Sequence, residues 1–123
     1  MNLEQALAGL FDAQSKLRTA SAVANPIIMS KHMYRLSQYT GAVETHLAEY
    51  ERDFDIEYAK KLNEFIMKEG MKPTPADAKV KMVMGEQKGQ ITYLSRIVSS
   101  SWKQLGVVQS RINHVLKEAT TQI

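Results

Sequence analysis

Apolar side chains recur along this chain in alternating steps of four and three, the spacing that lines up one face of an α-helix. Between Asn2 and about Ala24 the face reads Leu3, Leu7, Leu10, Gln14 and Leu17. Asn2 and Gln5 have the residue types of a capping box, in which each side chain satisfies the other's backbone N–H. Asn25 then offers an N-cap oxygen and Pro26 a first-turn residue whose missing N–H costs nothing, so a second helix starts at 26. Its seam is Met29, Met33, Leu36, Thr40, Val43, Leu47, Tyr50 and Phe54, and it runs to Glu69 before Gly70, the residue type that most readily takes a left-handed conformation. Residues 26–69 would make about 66 Å of helix. After Phe54 the seam changes phase through Tyr58, Leu62 and Phe65, a stutter that unwinds a supercoil or turns the face toward a different partner.

Residues 70–74 form the next loop, and Thr74, Pro75 and Asp77 supply an N-cap, a first-turn proline and a capping carboxylate for a third helix over about 75–120. The third seam is Val80, Met84, Gln87, Ile91, Leu94, Val98, Trp102, Leu105, Ile112 and Val115. A five-residue loop between two helices of similar length leads to an antiparallel hairpin, with the first helix near its open end. The expected fold is therefore all-α, one domain over 1–123, with helices at about 2–24, 26–69 and 75–120. Gly85, Gly89 and Gly106 interrupt the third helix, and two readings stay open: close helix contacts, or a break near residues 85–89.

Two helices this long cannot enclose a globular core by themselves, and Ile28, Tyr39, Ile56, Ile66, Ile97 and Val107 fall beside the seams. A stripe wider than a two-in-seven seam calls for a second packing partner, so a helical-bundle homo-oligomer is expected. Met29, Met33, Met67, Met71, Met82 and Met84 lie near the two ends of the hairpin, where they either fill core or form an adaptable surface.

Composition narrows the chemistry. The chain has 123 residues, 44% of them apolar, and no cysteine, which excludes disulfides, thiolate metal sites and thiol catalysis. No apolar run approaches the roughly 20 residues of a membrane span, and the amino terminus lacks the pattern of a secretory signal, so a cytoplasmic protein is expected. His32, His46 and His114 are not spaced as paired metal ligands, and Asp53, Asp55 and Glu57 splay over different helix faces. Ser99, Ser100 and Ser101 have no neighbouring base, and no glycine pattern follows a strand as a phosphate loop does. Neither an enzyme nor a cofactor is expected.

Sixteen Lys and Arg against thirteen Asp and Glu give a net charge of +3, and their distribution says more than their sum. Residues 44–57 hold six acids and one Arg, whereas Lys72 to Lys117 hold eight basic residues against Asp77 and Glu86. On a 100° wheel Lys81, Lys88, Arg96, Lys103, Arg111 and Lys117 fall within about 140°, opposite Leu94 and Ile112. A solvated outer face is the plainer reading, but such faces mix signs, and a one-sign stripe suits a phosphate backbone. A second basic cluster, Lys60, Lys61, Lys68 and Lys72, lies among Tyr58 and Phe65, which either join the core or stack bases.

Three stretches resemble a known family. They are Ala22 to Leu36, with the pattern AxxNPxxxSKxMxxL; Tyr-Ala-Lys-Lys-Leu-Asn-Glu-Phe at 58–65; and Gln-Ser-Arg-Ile-Asn-His-Val-Leu-Lys-Glu at 109–118. Across residues 20–119 the layout is similar to the phage recombination mediators typified by UvsY, small helical oligomers that help load a recombinase onto single-stranded DNA. The resemblance implies strand contact at Lys60 and Lys61, a closing helix marked by Trp102 and Ser110-Arg111, a recombinase and single-strand-binding protein as partners, and a bacterial host cytoplasm for a phage-encoded chain. With the stripe, the expected nucleic-acid-binding residues are Lys60, Lys61, Lys68, Lys72, Lys81, Lys88, Arg96, Lys103 and Arg111. The competing expectation is a helical-hairpin module, an inhibitor, adaptor or assembly factor, that binds protein through the leftover apolar surface.

Overall fold

The computed structural model describes residues 1–121, all helix and turn: α1 (Leu3–Ala22), α2 (Pro26–Met67), α3 (Pro73–Val83) and α4 (Gly85–Thr121). The capping box at the start of α1 is present, with Gln5 N–H donating to Asn2 at 2.8 Å and Asn2 N–H to Gln5 at 3.1 Å. Asn25 caps α2 by accepting from the N–H groups of Ile27 and Ile28. Between these helices the chain closes α1 with a Schellman pattern, Ala24 N–H to Ser21 O and Asn25 N–H to Ala20 O. Ala24 therefore holds a left-handed conformation, φ 53°, at a position where glycine is the unstrained residue. Gly70, at φ 67°, ends the turn after α2 as anticipated, although the helix itself stops at Met67.

The expected third helix is two helices. Its first residue is Pro73 rather than Pro75, and extended Lys72 rather than Thr74 holds the N-cap position. Residues before proline are pushed out of the helical region, and the first turn has no hydrogen-bonded N–H for Pro73 or Pro75 to lose, so both prolines fit inside it. α3 then ends in the non-helical conformation of Met84, φ −97° and ψ 14°, which still donates to Val80 O at 2.9 Å and accepts from Lys88 N–H at 3.0 Å, and α4 begins at Gly85. A Cβ added at Gly85, Gly89 or Gly106 would meet nothing within 4 Å, so the break is the correct reading and none of these glycines marks a close helix contact. The close contact is at Gly9, where a Cβ would enter the Tyr39 ring.

The chain folds as two compact units, residues 1–45 with 96–121 and residues 46–95. In the first, α1 packs between the early part of α2 and the later part of α4. It shows Ala6, Leu10, Ala13, Leu17 and Ala20 to the interior, so alanines take alternate seam positions and let the helices approach. Leu3, Leu7 and Gln14, expected in that seam, are only half-buried. Opposite them lie Met29, Leu36, Thr40 and Val43 of α2, and Val98, Ser101, Leu105, Val108 and Ile112 of α4.

Ser101 replaces Trp102 in the expected α4 seam. It is fully buried, accepts a hydrogen bond from Gln14 Nε2 at 3.1 Å and donates to Ile97 O, while Trp102 lies on the flank, 45% exposed, with its indole N–H donating to Glu44. Gln104 Nε2 donates to Gln14 O at 3.2 Å, and Arg35 to Asp12 at 3.0 Å, so α1 is tied to both neighbours.

In the second unit α2 lies antiparallel to α3 and the start of α4. Tyr58 donates to Asp77, and Lys79 pairs with Glu69 at 3.0 Å and lies over the Phe65 ring at 4.5 Å. Leu47, Ala76, Val80, Met84, Ile91 and Leu94 are buried, but Phe54, Tyr58, Leu62 and Phe65 are only half-buried, and Tyr50 and Gln87, both placed in seams, are exposed. No helix among the described residues is long and apolar enough to cross a membrane.

Candidate nucleic-acid interface

The nine basic residues selected from the sequence divide between the two units. Arg96, Lys103 and Arg111 belong to the first, and Lys60, Lys61, Lys68, Lys72, Lys81 and Lys88 to the second. The units differ in the charge around them. The first carries eight Lys and Arg against four Asp and Glu, the second eight against nine. From Gln87 to Lys117 there is no acid at all.

On α4 the steps of seven and eight residues place Arg96, Lys103 and Arg111 within about 80° of one another, on the side away from Leu105 and Ile112. All three are exposed, and none has an ion-pair partner among the described residues. Ser99, Ser100, Val107 and Ser110, all short, lie among them on the same side, as does His114, whose Nε2 lies 3.0 Å from Glu118.

Two residues the sequence reading missed extend this surface. Gln14 faces α4 through its bonds to Ser101 and Gln104, and Phe11 and Arg18 lie three and four residues from it on α1, hence on the same flank. Both are exposed, and Arg111 lies two turns beyond Gln104 on α4. Their helical spacing from Gln14 was the available signal, but which flank of α1 met α4 became clear only from the hydrogen bonds.

The other basic residues are more engaged. Lys61 pairs with Glu57 at 3.6 Å and Lys81 with Asp77 at 3.0 Å, and Lys88 lies 5.7 Å from the Phe54 ring centroid. Lys60, Lys68 and Lys72 are exposed without an ion-pair partner among the described residues, but Glu57, Glu64 and Glu69 occupy the same stretch of chain. One face of Phe65 is covered by the Lys79 ammonium, so this ring is not an open stacking platform, and the Tyr58 hydroxyl donates to Asp77. The hydrogen bond from Tyr58, and then that from Lys81, hold the Asp77 carboxyl below its ordinary value; the same contacts raise Tyr58 and Lys81.

In the first unit Asp12 is lowered by hydrogen bonds from Arg35 and then Lys16, while desolvation and then the Arg35 charge push His32 below its ordinary value. Arg35 Nη1 lies 3.2 Å from His32 Nδ1; because Arg can only donate, this nitrogen accepts and the ring is neutral. These contacts brace α1 against α2 and leave the α4 cations untouched. Among the described residues, no group of three or more His, Asp or Glu could hold a metal ion. Comparison with models of known families, with curated proteins and with solved structures found no match to this chain.

Proposed function

We propose that this protein binds single-stranded DNA without transforming it, along the outer face of α4 in the first unit. The observation that carries the reading is the acid-free run from Gln87 to Lys117, on which Arg96, Lys103 and Arg111 stand exposed on one side without an ion-pair partner among the described residues. An unpaired cation meets a phosphate without first giving up a carboxylate, and each contact releases a counterion condensed on the strand. Exposed Phe11 beside Arg18 adds an aromatic surface on which a splayed base can stack. A duplex offers phosphates but no free base faces, hence the preference for a single strand.

The role that fits such binding is accessory: a recombination mediator that holds the strand and presents it to a recombinase in place of single-strand-binding protein. That role, and a phage origin with action in the host cytoplasm, rest on the resemblance of residues 20–119 to the UvsY-like mediators. Self-association belongs to the same reading, since repeated cationic faces hold a strand more tightly than one.

The test is fluorescence anisotropy with single-stranded and duplex oligonucleotides across a salt series. Arg96→Gln, Lys103→Gln and Arg111→Gln together should reduce the slope of log affinity against log salt by about 2, at roughly 0.7 per phosphate contact on single strands. Lys60→Glu with Lys61→Glu should change binding far less. If this pair abolishes binding in a folded protein and the triple variant does not, the interface lies in the second unit.

A second reading has an observation of its own. Ile27, Val107 and Tyr34 are 83%, 69% and 66% exposed, large apolar side chains that a protein-binding module would cover. Polar substitutions at these positions that abolish self-association while strand binding persists would assign them to contacts between copies; absence of any strand binding at low salt would favour the protein-binding module.

A further inference from the structure

Two cavities in the second unit share Phe54. One, about 220 Å³, is lined by Tyr50, Asp53, Phe54, Glu57, Gln87, Gln90 and Ile91, so its charged groups are carboxylates. The other, about 420 Å³, is lined by Phe54, Tyr58, Lys81, Gly85 and Lys88, so its charged groups are ammonium ions. A third, about 390 Å³, has a lining of Asp53, Ile56, Glu57 and Lys60 that is mostly acidic and has no aromatic ring. Like it, the second of the two at Phe54 reaches the roughly 300–1,000 Å³ of pockets that hold small molecules.

Its apolar wall is a pair of aromatic rings, 5.9 Å between centroids and inclined by 36°, neither fully buried. The break between α3 and α4 opens the opposite side. Lys81 and Lys88 lie seven residues apart across that break, and Gly85 between them leaves the space that a side chain would take. Lys88 rests near the Phe54 ring and Lys81 on Asp77, which Tyr58 also holds, so the carboxylate keeps one donor when Lys81 turns away. A planar π-system bearing an anionic group matches both walls.

We infer that this cavity is a nucleotide subsite, in which a base of the bound strand lies against Phe54 and Tyr58 and its phosphate sits between Lys81 and Lys88. The subsite deepens the single-strand reading and rests on it for the identity of the ligand. It also gives a function to lysines that stand outside the cationic face of the first unit. Charge selects the larger cavity over its neighbour, because Asp53 and Glu57 would repel the phosphate.

The experiment is a two-dimensional amide NMR titration of the full chain with thymidine monophosphate, with thymidine as the uncharged control. Shifts should centre on residues 54, 58, 81, 85 and 88, with thymidine at least tenfold weaker. Gly85→Phe should fill the cavity at a position where a Cβ meets nothing, preserving helix content while removing the monophosphate shifts. Phe54→Ala should weaken oligonucleotide binding between about 5-fold and 150-fold, the range of one lost stack. The inference is overturned if the monophosphate shifts centre elsewhere, if they survive Gly85→Phe, or if thymidine binds as well as its monophosphate. Failure of the α4 reading is separate: the triple variant at Arg96, Lys103 and Arg111 would then keep its strand binding, whatever the monophosphate does at residues 54–88.

Discussion

The two units are cut from the same long helices, and they use them in opposite ways. In residues 1–45 and 96–121 a third helix fills the groove, so that Leu10, Leu17, Met29, Leu36, Val43 and Ser101 have almost no exposed surface. In residues 46–95 α2 meets only α3 and the start of α4; its aromatics stay half-exposed, and cavities open on both sides of Phe54. Charge follows packing. The closed unit has few acids, ties Asp12 and Glu44 into contacts between helices, and leaves Arg96, Lys103 and Arg111 without an ion-pair partner among the described residues. The open unit pairs four of its eight cations with its own acids. A third helix thus closes the groove of the first unit, and its absence leaves pockets in the second.

The contrast is tested most severely by matched truncations. Leu17→Ala in the closed unit should cost about 2–5 kcal/mol, because a fully buried side chain leaves a cavity that three packed helices relax around poorly. Leu62→Ala in the open unit should cost about 1 kcal/mol, since half its surface already meets water. Urea unfolding followed by circular dichroism measures both, and equal losses would mean the second unit is as tightly packed as the first.

A smaller effect is expected at the α4 seam. Ser101→Ala should lose about 1 kcal/mol by leaving the Gln14 amide without its partner, whereas Trp102→Phe should stay within about 0.5 kcal/mol despite the larger side chain. The same unfolding series would expose the opposite ranking if the tryptophan were the core residue. Ala24→Gly should raise the stability of the first unit by about 0.5–1 kcal/mol, relieving the left-handed strain against a modest gain in unfolded-chain freedom. A lower melting temperature would refute that account of the α1–α2 turn.

Acid should produce the mildest change near neutrality. His32 has its pKa depressed below 6.5 in the folded chain, so its contribution is present above 6.5 and is lost as pH falls through the depressed value. Asp12 and Asp77 are depressed below 3.8, so their contributions, one in each unit, are present above 3.8 and are lost as pH falls through the lower folded values. Thermal melts of His32→Gln should therefore lack the first part of the acid loss, and those of Asp12→Asn the later part.

Much of this was legible in the residues. Asn2 with Gln5, Asn25 with Pro26, and Gly70 all act where their types predict, because caps and turns are decided by atoms a few positions away. The long seams through Leu36, Val43, Leu94 and Leu105 were legible for the same reason: helical periodicity is local. Apolarity misled at Trp102, since the four-and-three register passes through Ser101, and a serine whose hydroxyl is paired can occupy a core position that a ranking by hydrophobicity denies it. In α1 the leucines drew attention while Ala6, Ala13 and Ala20 took alternate core positions.

The basic stripe was legible as a wheel, and the local sequence already held the acids near Lys60 and Lys61. Glu57 with Lys61 and Asp77 with Lys81 are pairs one turn apart on a single helix and so lay within reach of the sequence, as did the lack of an acid one turn from Arg96 or Lys103. The pairing of Lys79 with Glu69 across the α2–α3 turn was not, because it depends on how the chain reverses. The sequence by itself determined the helices, most of their boundaries and the acid-free run of α4, because backbone capping and the 3.6-residue repeat act over one or two turns. Tertiary structure alone decided the break at Met84, the flank on which Arg18 joins α4, and the cavity at Phe54. Each depends on where one helix meets another, and such contacts join residues tens of positions apart that no local pattern connects.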